Sequence, residues 1–288
     1  MKKIVLSLSV LFCAIAGMSA QDRLYSNEFP IGDVTLLDGP FKHARDLNIE
    51  VLLQYDVDRL LAPFRAEAGV PKKAEYYPNW AGLDGHVAGH YLTAMAINWQ
   101  TARNPECLRR MEYMIDELAE VAAANAVNNA EWGVGYIGGI PNSASMWTDF
   151  MKGDFRKYQS AWAPFYNIHK MYAGLRDAWL YCGNEKAKDL FLGFCDWGVN
   201  ITKDLTDDQM EQMLRNEHGG MNEMFADAYA MTGDAKYLQA AKRYSHKLIM
   251  EPLSRDEDRL DNLHANTQVP KAVGFARIGE VSDSPEYA

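Results

Sequence analysis

The stretch YCGNEKAK, residues 181–188, closes one helix and opens another within a few residues. Gly183 suits the left-handed position just past a helix C-terminus, and Asn184 suits the N-cap of the next helix. Three other stretches follow the same plan: TARNPECL (101–108), MTGDAKYL (231–238) and VSDSPEYA (281–288). In them Gly233 repeats the C-terminal role and Asn104, Asp234 and Ser284 the N-cap role. Pro105 and Pro285 fall at the first helical position, where the missing N–H has no helical partner to lose. The caps at 184, 234 and 284 stand 50 residues apart, and the cap at 104 stands 80 before 184. A period of that length holding two helices is an αα-hairpin repeat.

The flanks agree with the turns. Phe41, Ala44, Leu47, Val51, Leu52, Tyr55 and Leu60 recur at helical spacing, as do Leu108, Met111, Met114, Ile115 and Leu118. AMAINW (94–99), MYAGLRDAWLY (171–181) and MNEMFADAYAM (221–231) are rich in Ala, Met and aromatics and poor in charge. They predict inner helices buried on most sides, backed by Lys- and Glu-bearing outer helices. No alternating strand pattern stands out, so the expected fold is all-α, a toroid of αα-hairpins. All inner helices then point one way, and the long connections gather at one mouth. The longest, Ala124 to Tyr166, accounts for the wider first interval, and loops that long are more often functional than idle.

Unusual polar residues collect at the inner-helix heads. The first has Asp84, His86 and His90, and the second has Tyr166, Asn167, His169 and Lys170. The third has Glu217, His218, Asn222 and Glu223, and the fourth His264, Asn266 and Gln268. Of the seven histidines, only His43 and His246 fall on expected outer helices. One histidine at a helix head is usually a packing or capping group, but recurrence at four heads points to a shared polar pocket. His86 and His90, four apart, share a helical face and could give two metal ligands. The string is not HExxH, however, and no thiol is near in sequence. Asp84, Glu131, Glu217 and Glu223 are candidate acid and base groups for a glycosidase. A hydroxyl-rich ligand suits imidazoles, amides and carboxylates best, with Trp80, Trp132, Tyr136, Trp147 and Trp162 available for stacking or for plain loop packing.

Bulk properties set the limits. A net charge of -10, with the 29 Lys and Arg in no long block, argues against a nucleic-acid partner. MKKIVLSLSVLFCAIAGMSAQ (1–21) has the basic, apolar and small-residue order of a signal peptide over 1–20, so a secreted or periplasmic protein is expected, the outer membrane included. Cys13 lies in that stretch, but the bulky Phe12 before it does not suit lipidation. The apolar run is short for a membrane span and no later segment approaches the length. Cys107, Cys182 and Cys195 form no CxxC pair and suggest buried thiols rather than a disulfide or zinc framework.

GLDGHVAGHYLTA (82–94), WAPFYNIHKMYAGLRDAWLYCGN (162–184), RNEHGGMNEMFADAYAMTGD (215–234) and LDNLHANTQVPKAVGFARI (260–278) resemble, in order, the β-L-arabinofuranosidases of glycoside hydrolase family 146 and its sister family 127. The likeness runs from about Phe29 to the last residue. It implies an (α/α)6 barrel and release of terminal β-L-arabinofuranose from plant cell-wall glycans with retention, the partner being an arabinose-containing oligosaccharide or pectic glycan. It also implies that His90, His169 and His264 bind sugar hydroxyls. His86, Glu217, His218, Asn222 and Gln268 match motif positions as further substrate-binding candidates. The families use a zinc-bound cysteine nucleophile and a glutamate acid/base, whose motifs are expected beyond Ala288. No catalytic or metal-binding residue is therefore assigned within the sequence, and zinc is expected only in a full-length parent. Residues 21–288 are expected to be the N-terminal part of the barrel, about four of six hairpins. Another αα-toroid carbohydrate enzyme, an epimerase or lyase, and a secreted glycan-binding protein without catalysis are the alternatives.

Overall fold

The computed structural model describes residues 24–25, 28–78 and 82–287. The segment 1–20 and Trp80 lie outside the described residues, and so does Ala81 beside the first helix head. No strand occurs among the described residues. Helices α1 (Pro40–Leu52) and α2 (Val57–Glu67) lead into α3 (His86–Ala102) and α4 (Pro105–Asn128). Short helices α5 (Ser143–Phe150) and α6 (Arg156–Ser160) bridge to α7 (Pro164–Cys182) and α8 (Glu185–Thr202). Then follow α9 (Asp207–Leu214), α10 (Met221–Thr232), α11 (Ala235–Arg243), α12 (Lys247–Leu253) and α13 (Ala265–Val281).

The repeated turns form as their residues dictate. Asn104 accepts from the N–H groups of Glu106 and Cys107, Asn184 from that of Ala187, and Asp234 from that of Lys236. Gly183 and Gly233 take φ of 67° and 71°, the left-handed region that strains a residue with a Cβ. In the first turn Arg103 adopts φ 53° although it is not glycine. The last turn departs from the pattern: Ser282 is extended, and Pro285 opens a 3-10 turn, Pro285–Tyr287.

Helices α3, α7, α10 and α13 lie side by side in chain order, while α4, α8 and α11 each back onto the inner helix before them. Neighbouring contacts climb together along α3 and α7: Gly89 faces Lys170, Leu92 faces Gly174, and Thr93 donates to Asp177 at 2.7 Å. The same order holds for His169 with Gly219 and Arg176 with Asp227, then for Asn222 with Lys271 and Asp227 with Arg277. The four inner helices are therefore parallel, and their heads open at one end. This is the helical toroid architecture, seen among the described residues as an arc of three αα hairpins and a fourth inner helix.

Two expectations need correction. The connection expected over 124–166 is shorter and more ordered, because α4 continues to Asn128 and α5 and α6 occupy its middle. Its aromatics drive that order: Trp147 meets Trp197 at 5.0 Å, Tyr136 meets Trp197 at 4.9 Å, and Trp132 meets Tyr136 at 5.1 Å between centroids. Trp132, Tyr136 and Trp147 are buried core, not stacking platforms. Second, the apolar stripe of α1 does not face the core. Phe41, Leu47 and Val51 are exposed and Ile49 alone in that helix is buried. Helix α1 is held partly by polar contacts such as Arg45 to the Thr101 carbonyl, so its periodicity predicted a helix but not which face docks.

Candidate functional site

The helix heads bring most of the predicted site residues to one end, in three settings. Around α3 and α7, His90 stands at the rim with its ring partly covered, His86 and His169 are half-buried, and Lys170 stands among them. The His86 Nδ1 lies 2.6 Å from the Leu83 carbonyl, so His86 braces the turn before α3. Lys170 Nζ sits 3.9 Å above the Tyr166 ring and 3.4 Å from His169 Nδ1. Burial first, then Lys170, holds His169 well below the ordinary imidazole pKa, and the same causes lower His90. Both rings are thus neutral near pH 7, with one donor and one acceptor nitrogen each. The Nε2 of His169 is buried without a hydrogen-bond partner, against Gly219 and Gly220, where any Cβ would press on the ring.

Ahead of α10 and α13, Glu217 accepts from Asn266 at 2.6 Å, which ties the third head to the fourth. His264, the N-cap residue of α13, is exposed and makes no side-chain capping bond. Gln268 accepts from Lys271 Nζ at 3.1 Å. Asn222 and His218 are both fully buried. Asn222 donates to the Lys271 carbonyl at 3.1 Å and fills the space that Gly274 leaves by lacking a Cβ, so it joins α10 to α13. His218 packs 6.3 Å from the ring of His246. His246, expected on an outer helix, is itself buried and bonded to the buried Lys271 at 3.0 Å.

Below the heads lies a layer of charge that sequence inspection missed. Asp227, fully buried on α10, accepts from Arg176 at 2.7 Å, from Arg277 at 2.7 Å and from Tyr25 at 3.0 Å. Arg176 also donates to Glu223 at 3.0 Å and to Asp177 at 3.0 Å. Burial raises the Glu223 pKa against the pull of Arg176. Arg277 further holds the Leu24 carbonyl at 3.1 Å, which seats Leu24 and Tyr25 against the arc. The signal was present as Arg and Asp inside otherwise apolar helices, the kind of residue that is buried only when paired.

One cavity adjoins this end and another lies in the outer layer. A cleft of about 750 Å³ at the mouth is lined by Asp84, Asn142, Ser145, Lys157, Ser160 and Trp162, among others. A second volume of about 520 Å³, bounded by Glu211, Lys242 and Tyr287, lies against α11 and α12 on the outer layer. The first adjoins the heads and is the one relevant to a ligand there.

The zinc implied by the resemblance does not fit the described residues. Cys107 is on α4, Cys182 ends α7 and Cys195 is within α8. Burial pushes all three thiols up, Cys182 to about 12, whereas a zinc ligand must be a thiolate. No group of three His, Cys, Asp or Glu side chains comes together for a metal among the described residues. No helix among those residues is long and apolar enough to cross a membrane.

No curated protein matches the chain. A family profile does, described as Beta-L-arabinofuranosidase, GH127 catalytic domain, and it spans residues 33–288. With that span, and with the parallel inner helices and polar heads already in place, the chain belongs to the GH127 β-L-arabinofuranosidase catalytic-domain family.

Proposed function

We propose that this protein binds terminal β-L-arabinofuranose of plant cell-wall glycans at its helix heads, as part of a hydrolase that releases the sugar with retention of configuration. The family supports a glycoside hydrolase acting on arabinofuranose. The observation that carries the finer reading is the buried Nε2 of His169, without a hydrogen-bond partner beside Gly219 and Gly220. A buried polar atom left unpaired costs about 1–3 kcal/mol, a cost that a sugar hydroxyl would relieve. Neutral His90 can donate to one hydroxyl and accept from another. His169, whose Nδ1 faces the Lys170 ammonium at 3.4 Å, has its Nε2–H to donate, and Lys170 and Glu217 offer charged bonds nearby. His264 at the exposed start of α13 completes the proposed set, with His86 and Gln268 as supports. Sharing of features with family 146 and export through residues 1–20 belong to the same proposal.

The test is calorimetric titration of the purified protein with L-arabinose and with an aryl β-L-arabinofuranoside, followed by NMR of any released sugar. Binding weakened by His169→Ala and product first released as the β-anomer support the proposal. Wild-type protein that binds neither compound, or inverted product, would overturn it. Preferential binding of an unsaturated uronate would favour the lyase alternative.

A further inference from the structure

The mouth cleft has features that the helix-head pocket does not use. It lies between residues 82–84 before α3, the start of α5 and the turn before α7, with a volume of about 750 Å³. Trp162 in its wall is 53% exposed, whereas Trp132, Trp147 and Trp197 are buried. The same cleft is lined by Asn142, Ser145 and Ser160, an amide and two hydroxyls that donate to the Asn142 and Lys157 carbonyls and keep their oxygens free to accept.

The walls are fixed in costly conformations. Asn142 and Ala163, next to Trp162, have φ of 62° and 44°, a region that residues with a Cβ seldom enter. Neighbouring contacts hold them there. The N–H groups of Asn142 and Ser143 donate to the Glu67 carboxylate at 3.2 and 3.0 Å. Asn167 donates to the Asp84 carbonyl at 3.0 Å, which binds the head of α7 to the opposite wall. Non-glycine residues held at such angles cluster at ligand clamps and active sites.

Charge narrows the ligand. Lys157 is paired with Asp149 at 2.7 Å, and the Asp84 carboxylate accepts from the Gly82 N–H at 3.2 Å. The cleft therefore offers an aromatic face among amide, hydroxyl and carboxylate groups, with its lysine already compensated by Asp149 and the Asp84 carboxylate held by a backbone N–H. That combination fits a neutral glycosyl ring, whose C–H face stacks on indole while its hydroxyls reach amides and hydroxyls. A uronate would need an unpaired cation.

We propose that this cleft is a separate subsite for a neutral glycosyl residue on the leaving-group side of the bound arabinofuranose. The leaving-group placement rests on the arabinofuranose reading above, because the same two segments carry His90 and His169; the cleft itself does not. The probes are L-arabinose, neutral arabino- and galacto-oligosaccharides and oligogalacturonate, titrated calorimetrically into wild type, Trp162→Ala and Ser145→Arg. The second variant fills the cleft from the exposed face of α5. Wild type is expected to prefer a neutral oligosaccharide over the monosaccharide, and each variant to reduce that preference by about ten-fold, the upper range of one aromatic contact. A preference unchanged in both variants, no neutral oligosaccharide bound, or tighter binding of oligogalacturonate overturns the cleft. Galacto-oligosaccharide bound through Trp162 without any affinity for arabinose would keep the cleft and sink the arabinofuranose reading.

Discussion

Gly89 on α3 lies directly against the backbone of Lys170 on α7, so close that a Cβ on residue 89 would run into the Lys170 carbonyl group. One missing methyl thus sets the approach of two inner helices and the spacing of His90 from His169. Gly174 faces the Gly89 carbonyl across the same contact, where its own Cβ would stand 2.7 Å from the oxygen. Gly89→Ala is therefore expected to force the helices apart and to destabilise by about 1–3 kcal/mol, the usual cost of overpacking. Gly193 on α8 is the control, since nothing lies within 4 Å of a Cβ there. Its replacement by Ala is expected to be neutral or stabilising by a few tenths to about 1 kcal/mol. Urea denaturation of both variants decides the matter, and equal midpoints would refute the close-packing account.

The buried charge layer supplies a second comparison. Asp227 is fully buried and satisfies two guanidinium groups, whereas Asp116 pairs with Lys186 where both side chains are more than half exposed. Asp227→Ala leaves Arg176 and Arg277 buried without their shared partner, and a loss of about 3–5 kcal/mol is expected. Asp116→Ala should change stability by about 1 kcal/mol or less, because exposed pairs are screened and entropically costly. A mild Asp227 variant would show that water reaches these arginines.

The contrast between those two aspartates also shows what sequence could and could not reveal. Turns were legible because Asn104, Asn184, Asp234, Gly183 and Gly233 act on their own backbone, within a few residues. Inner helices were legible from their scarcity of charge. Which face α1 presents was not, because an apolar stripe has no mark for the partner it meets. His246 was placed outside for the same reason: its burial comes from Lys271, 25 residues on, and from His218, 28 residues before. Asn222 carried a motif resemblance, yet its contact is with Gly274, and such pairings arise only when helices cross. The aromatics of the long connection were ambiguous in principle, since stacking on a sugar and stacking on each other require the same residues.

Acid is expected to weaken the fold through the histidines. Burial, with Lys271 next, pushes His218 down to about 3, and burial with Lys271 and Arg215 pushes His246 to about 4. The groups facing them are Lys271 and, 3.7 Å from His246, Glu211. An unfolded histidine takes its proton near pH 6.5, the folded ones only at these lower values. Between the two the unfolded state holds more protons, so stability falls as pH falls from about 6.5 towards 4. Urea midpoints at pH 7 and pH 4.5 should differ, and His218→Gln should shrink the difference. An unchanged difference in the variant would mean that carboxylates elsewhere dominate the acid response.

His264 and His246 separate binding from stability. His264 is exposed at the start of α13 and makes no capping bond, so nothing in the fold depends on its ring. His246 is buried against His218 and bonded to Lys271, whose ammonium group would lose a partner in a closed interior. His264→Ala is thus expected to leave the urea midpoint within error. It should weaken arabinose binding by the worth of one hydrogen bond, about 0.5–1.5 kcal/mol or roughly two- to twelve-fold. His246→Ala should do the reverse, losing about 1–3 kcal/mol of stability from an unsatisfied buried group while binding at the heads changes little. Calorimetry and denaturation on the same two proteins give both readouts. Arabinose affinity untouched by His264→Ala would remove the fourth helix head from the sugar pocket and leave recognition to His90 and His169.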